Sequence, residues 1–151
     1  MALGATTITS AVSATTTKTI GQSTVTGKTD YSISYRLANG TLAAQATDVI
    51  DANITANGTA VALSSLVTTL GDAFGTKTRL KSVTLRNDAT NTGNITITSN
   101  ITGCPVGVLQ PDSEINYHSN SATGLTITSA NTITATGTVT TENLRVILIV
   151  A

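Results

Sequence analysis

Apolar residues return at every second position through most of this chain, in short runs broken by Asn-Gly, Pro-Asp and isolated glycines. Successive side chains of an extended strand point to opposite faces, so a period of two writes one buried face and one wet face. Asp30 to Leu37 shows it: Tyr31, Ile33 and Tyr35 share one face, while Ser32, Ser34 and Arg36 share the other. Val49 to Ile54 groups Ile50, Ala52 and Ile54, and Asn94 to Thr98 groups Ile95 and Ile97. Thr123 to Ser129 places Leu125 and Ile127 inside, and Asn131 to Thr140 alternates Thr with Ile133, Ala135 and Val139 around Gly137. Arg79 to Asn87 and Glu114 to His118 are further strands; Ile101 to Leu109 holds Pro105 and Gly107 and reads as irregular or as an edge. Asn143 to Val150 is apolar on both parities after Arg145, which predicts a central strand covered on both faces. Asn39-Gly40, Asn57-Gly58 and Pro111-Asp112 are the turn signals between these runs.

Threonine outnumbers every other residue, and its branched Cβ suits a pleated surface. The fold class expected is all-β: a jelly-roll-like β-sandwich with one short helix and an extended N-terminal arm. The helix is expected after Ser64 or Ser65, with Leu66 and Leu70 one turn apart and Gly71 at its end. At about two turns it cannot stand alone, and Leu66, Leu70 and Phe74 are expected to plug one end of the sandwich. Met1 to Lys28 carries few large apolar residues and is assigned as the arm (1–28), with weak strands near 15–20 and 23–26; residues 29–151 form the sandwich domain.

The segment Lys77 to Leu85 contains a conflict. Lys77, Arg79 and Lys81 share parity with Val83 and Leu85, and three charges on a core face are untenable. Either a bulge changes the register near Ser82 or the strand leaves the core before Lys81.

Charged residues are 11% of the chain and the formal net charge is zero, so nothing pulls it as a whole toward nucleic acid or an anionic membrane. Self-repulsion is weak for the same reason, which makes assembly electrostatically easy. No apolar run approaches the roughly 18 residues of a membrane span, and Met1 to Val12 lacks the basic start of a secretory signal. Cys104 is the sole cysteine and reads as a small buried hydrophobe.

Chemistry is sparse. His118 is the one histidine, no nucleophile-elbow sequence accompanies it, and a hydrogen-bonded strand-end histidine is the plainer reading. Asp112 and Glu114 sit at a turn, where carboxylates solvate or cap more often than they do acid–base work. Asp48, Asp51, Asn53 and Asn57 offer oxygen ligands without EF-hand spacing. The N-x-T triplets follow from Asn and Thr richness. No catalytic residue, cofactor or metal is assigned. Lys77, Arg79, Lys81 and Arg86 are the one basic group, read as a partner contact or as a solvated strand edge.

Taken in order, Ile50 to Ala52, Ala60 to Leu63, Leu70-Gly71-Asp72-Ala73-Phe74-Gly75, Leu80 to Asn87 and Gly93 to Ile97 make a succession. It continues through Pro105 to Leu109, Pro111, Ala122 to Leu125, Asn131 to Ile133 and the closing apolar strand. That succession resembles the small virion structural proteins of tailed bacteriophages, of the head decoration or cement kind. The likeness runs over residues 48 to 151 and does not include the first 28. Where such proteins often have a glycine-rich turn after the proline, this chain has Pro111-Asp112-Ser113-Glu114. The resemblance implies a non-enzymatic protein on the outer capsid surface, binding the major capsid protein and itself as a homotrimer, without nucleic acid or membrane. Thr15, Thr17, Lys18 and Ile20 of the arm and Lys77, Arg79 and Lys81 are the contact residues expected. A phage tail or host-recognition β-sandwich module is the alternative; the scarcity of exposed aromatics for sugar stacking counts against it.

Overall fold

Twelve strands run through the described residues in the order β1 (Thr6–Ile20), β2 (Ser23–Asn39), β3 (Gln45–Ala46), β4 (Asp48–Thr55), β5 (Asn57–Ala62) and β6 (Arg79–Asn87). They continue with β7 (Ile95–Ser99), β8 (Gly107–Leu109), β9 (Ser113–His118), β10 (Leu125–Thr126), β11 (Thr132–Gly137) and β12 (Asn143–Val150). The computed structural model describes residues 4–20 and 23–151; within the first two strands it leaves out the side chains of residues 16, 18, 20, 23, 25, 27 and 29.

Nine of these strands build an all-β sandwich. One sheet has the order β4-β12-β6, with β9 and β10 both pairing with β6 on its far side. The other has the order β5-β11-β7-β8. Most connections carry the chain from one sheet to the other, so neighbours within a sheet are distant in sequence. β12, the last strand, lies between β4 and β6 and pairs antiparallel with both.

The alternating sequence explains which faces meet. Ile50 and Ile54 of β4, Leu80, Val83 and Leu85 of β6, and Leu144, Val146, Leu148 and Val150 of β12 face Ile95, Ile97, Leu109, Ile133 and Ala135 from the opposite sheet. Leu63, Leu66, Phe74, Ile101, Cys104 and Ile127 from the connecting segments close the core. Cys104 is buried, as expected of a small hydrophobe, and burial pushes its thiol pKa up, against a smaller downward pull from Ser99.

The short helix is not there. The chain makes one 3-10 turn at Leu63–Ser65, and Val67 bridges to Ala73 instead of continuing a helix. Leu66 and Phe74 are buried as expected, but Leu70 is exposed. Leu66 has extended backbone angles and Asp72 N–H donates to Thr68 Oγ1 (3.1 Å), so local side-chain bonding outcompetes a helix too short to nucleate.

The conflict in β6 resolves through a bulge. Ile149 pairs with Ser82 and Val150 with Leu80, which skips Lys81. The extra residue shifts the parity, so Leu80 faces the core on one side of the bulge and Val83 and Leu85 face it on the other. Arg79 is thereby turned off the core face. Gly124 lies directly against this kink: its φ is +52°, and a Cβ there would sit 2.5 Å from the Leu80 carbonyl oxygen.

β1 and β2 form a different object. Every one of the 15 residues of β1 has a partner in β2, from Thr6 opposite Leu37 to Ile20 opposite Ser23. The resulting antiparallel ribbon is roughly 50 Å long at the usual rise per residue. Its root continues into β3, which pairs parallel with the end of β2.

Candidate functional site

The ribbon has two unlike faces. Register places Ile8, Ser10 and Val12 beside Tyr35, Ile33 and Tyr31 on one of them. Thr7, Thr9, Ala11, Ser13, Thr15, Thr17 and Thr19 line the other, opposite Arg36, Ser34, Ser32, Asp30, Lys28, Thr26 and Thr24. Ser13 Oγ donates to Asp30 across the ribbon (2.6 Å), Lys28 pairs with Asp30 along β2 (2.8 Å), and Thr9 and Ser34 hydroxyls meet at 3.3 Å. Lys28 first, then Ser13, hold the Asp30 carboxyl below the ordinary carboxylate range.

Burial along the ribbon falls away from its root. Leu37 is sealed and Ile8, Ile33 and Tyr35 are half-buried, but Val12 and Tyr31 are 59% and 58% exposed. The root is fixed by a second, smaller core on the outer face of the β4-β12-β6 sheet: Leu37, Ala46 and Ile149, flanked by Ile8 and Val49. Ile149 is thus the reason β12 reads as apolar on both parities. Beyond that patch both ribbon faces stand open wherever side chains are described. An isolated two-stranded ribbon is marginally stable in water, so this element has surface to offer a partner.

Lys81 locks the root in place. Its side chain is buried, and Nζ donates to the carbonyl oxygens of Ser121 (2.5 Å), Ala122 (2.9 Å) and Leu42 (3.4 Å). Three acceptors match the three protons of an ammonium group. Leu42 belongs to the loop that leaves the ribbon, so one cation ties that loop, the segment before β10 and the bulge together. Burial, with Arg79 nearby, pushes the Lys81 pKa down, while the three carbonyls favour the charged form.

The expected contact residues therefore do not form one surface. Thr15 and Thr17 are exposed on the polar ribbon face; the side chains of Lys18 and Ile20 lie outside the described part. Lys81 is a correction: it is interior, not at an exposed edge, because the bulge and two loops enclose it. Lys77 is partly buried and ion-paired with Asp48, and Arg79 Nη1 donates to the Thr123 carbonyl (3.3 Å). These cations hold loops to the sandwich.

Neither catalytic nor metal chemistry assembles from the sequence candidates. His118 Nδ1 lies 2.8 Å from Ser82 Oγ, but Ser82 is only 3% exposed, so substrate cannot reach the hydroxyl. Glu114 stands four residues along β9, roughly 13 Å away at the usual strand rise, too far to orient the ring as a third triad member. Burial pushes His118 below the ordinary imidazole range, against a smaller upward pull from Glu114. Asp51 accepts two bonds from Arg145 (3.0 and 2.7 Å), and that hydrogen bonding, outweighing burial, lowers its pKa. Asp48 is neutralised by Lys77, and Asn57 caps Thr59 N–H (2.9 Å). Among the described residues no group of three or more acidic, histidine or cysteine side chains is placed to hold a metal ion. Asp112 makes the turn into β9 with φ of +58° and pairs with Arg86 at 3.0 Å.

Two polar features escaped the sequence reading. Glu142, after β11, is buried; Thr92 N–H (2.5 Å), Gly93 N–H (2.7 Å) and the Thr92 hydroxyl (3.0 Å) all donate to its Oε1. Burial raises its pKa, but those three donors outweigh burial and leave it below the ordinary range. The second is a trough of about 320 Å³ between Ile8–Ala11 of the ribbon and the outward side chains of Thr84, Glu114, Asn116 and His118. The two-residue spacing of Glu114, Asn116 and His118 put them on one strand face from the start; that β1 would wall them in is a tertiary fact with no local signal.

No family model matches this chain, and neither the curated proteins nor the solved structures contain a match to it.

Proposed function

We propose that this protein is a non-enzymatic component of a phage virion that binds the outer capsid surface and cements neighbouring major capsid subunits. The observation that carries the reading is the ribbon: roughly 50 Å of paired strand, anchored at one end and open on both described faces at the other. Two further features support it. The sheet orders β4-β12-β6-β9 and β5-β11-β7-β8, with the chain passing back and forth between them, fit a jelly roll, an architecture common in viral shells. The resemblance over residues 48 to 151 points the same way, and a chain of zero net charge docks on a shell, or on copies of itself in a homotrimer, with little charge to desolvate.

The ribbon then serves as the clamp. Its open strand edges can extend a sheet on a neighbouring subunit, and Thr15 and Thr17 offer hydroxyls along the way. Each contact is weak, and many copies on one lattice hold collectively through avidity. The test is co-sedimentation of the full chain with mature capsids that lack it, beside a chain shortened within the ribbon. Saturable binding at a fixed ratio, lost on shortening, is the expected result. A folded protein that never sediments with capsids of its own phage would sink the cement role and favour the tail or host-recognition module.

A further inference from the structure

We propose that the trough between β1 and β9 is a binding site for a single neutral saccharide ring. The trough is assembled from two segments far apart in sequence, Ile8–Ala11 on one wall and Thr84, Glu114, Asn116 and His118 on the other. Its volume, about 320 Å³, lies at the small end of the range for small-molecule sites, which suits one ring and not an oligomer or a nucleotide.

The lining selects the ligand class. Thr84 brings a hydroxyl, Asn116 an amide and Glu114 a carboxylate, and Ser10 adds a hydroxyl from the ribbon side. His118 has Nδ1 engaged by Ser82, which leaves Nε2 as the ring's remaining hydrogen-bonding atom. Such a set of mixed donors and acceptors suits a molecule whose rim is hydroxyl groups, each of which both gives and takes a hydrogen bond; no phenylalanine or tyrosine is among the described lining residues, so the ring is held by those bonds and not by stacking. Among the described residues no lysine or arginine lines the trough, and Arg86, beside Glu114, is taken up by Asp88 and Asp112, so a phosphate, sulfate or carboxylate ligand would find no free counter-charge there.

Glu114 is also available. Arg86 lies directly opposite it in the β6–β9 ladder, the ordinary position for an ion pair. Arg86 instead pairs with Asp88 (3.1 Å) and Asp112 (3.0 Å). The bond to Glu114 that the structure shows comes from Asn116 Nδ2 to Oε1 (2.9 Å). A carboxylate left beside a cation that turns elsewhere, facing a polar trough, is placed to accept from vicinal hydroxyls.

Saturation-transfer NMR on the full chain tests this with glucose, galactose, mannose and N-acetylglucosamine, and with inorganic phosphate as the anionic comparator. Transfer to at least one of the sugars is expected, with affinity about tenfold weaker in Glu114→Gln and weakened again in Thr84→Val, both with unchanged thermal midpoints. The proposal is overturned by silence from all four sugars, by transfer that survives both substitutions undiminished, or by binding of phosphate in their place. The readout uses the free protein, so it stands apart from whether the chain sediments with a capsid.

Discussion

β11 and β1 carry nearly the same rhythm, Thr-Ile-Thr-Ala-Thr in one and Thr-Ile-Thr-Ser-Ala in the other, yet Ile133 and Ala135 are fully buried while Val12 stays 59% exposed. β11 is flanked by β5 and β7 and faces a second sheet. β1 has β2 on one side and no described strand on the other. The period-two pattern specifies a strand and the face it would bury; the number of layers around it specifies whether that face is buried. In the sandwich, distant segments converge to supply those layers. In the ribbon they are supplied only at the root, by Val49, Ala46 and Ile149.

The contrast can be broken from the sandwich side first. Leu148→Ala removes a fully buried side chain from the central strand and is expected to cost about 2–5 kcal/mol. Urea denaturation should show the whole sandwich lose stability as a unit; a change confined to one sheet would mean the two sheets are not one cooperative core. Lys81→Met comes next. It strands the carbonyls of Leu42, Ser121 and Ala122 near a buried kink, at a cost of about 1–3 kcal/mol. Limited proteolysis should then cut the loop that follows the ribbon before the sandwich unfolds. Equal resistance of that loop in variant and parent would show that Lys81 does not couple the two regions.

Acid sharpens the comparison further. Glu142 and Asp51 have lowered folded pKa values, so their contributions are full above the ordinary carboxylate range and are lost as pH falls through the depressed values. His118 is also lowered, from 6.5, so the unfolded chain takes up its proton first and stability declines as pH drops below that value toward the folded pKa. Urea midpoints across a pH series should show a shallow decline near neutral pH, abolished in His118→Gln, and a steeper one in acid, reduced in Glu142→Gln. The smallest effect belongs to the ribbon: Thr15→Ala and Val12→Ser should change sandwich stability by no more than about 0.5 kcal/mol. Hydrogen exchange should already be fast beyond the root. Slow exchange along the whole ribbon in the free protein would contradict the contrast itself.

Much of the sandwich was legible. The alternation located β4, β6, β7 and β12 within a residue or two and overran the end of β11 by three, and the doubled apolar parity of β12 announced its central place. The clash of charges in β6 marked an irregularity and favoured an early exit of the strand from the core; the structure takes the other course, a bulge. The short helix was misread because Leu66 and Leu70 one turn apart are equally compatible with an irregular cap, and so short a segment has no propensity strong enough to decide. Lys81 was misplaced because the rule that charges stay outside ignores main-chain carbonyls, which loops distant in sequence can turn inward. The trough was invisible for a related reason: its two walls share no local pattern, and only the folded path of β1 sets one before the other.

The threonine ladder on the polar face of the ribbon has one more consequence. Thr15, Thr17 and Thr19 on one strand and Thr24 and Thr26 on the other are interchangeable under a slip of two residues, and such a slip keeps every side chain on its own face. Among the described residues the Ser13–Asp30 and Thr9–Ser34 bonds and the burial of Leu37 at the root mark a unique alignment. The ribbon can therefore be lengthened or trimmed by whole dipeptides, in increments of roughly 6.6 Å, without rewriting either face, which makes its reach an easily varied trait in descendants of this sequence.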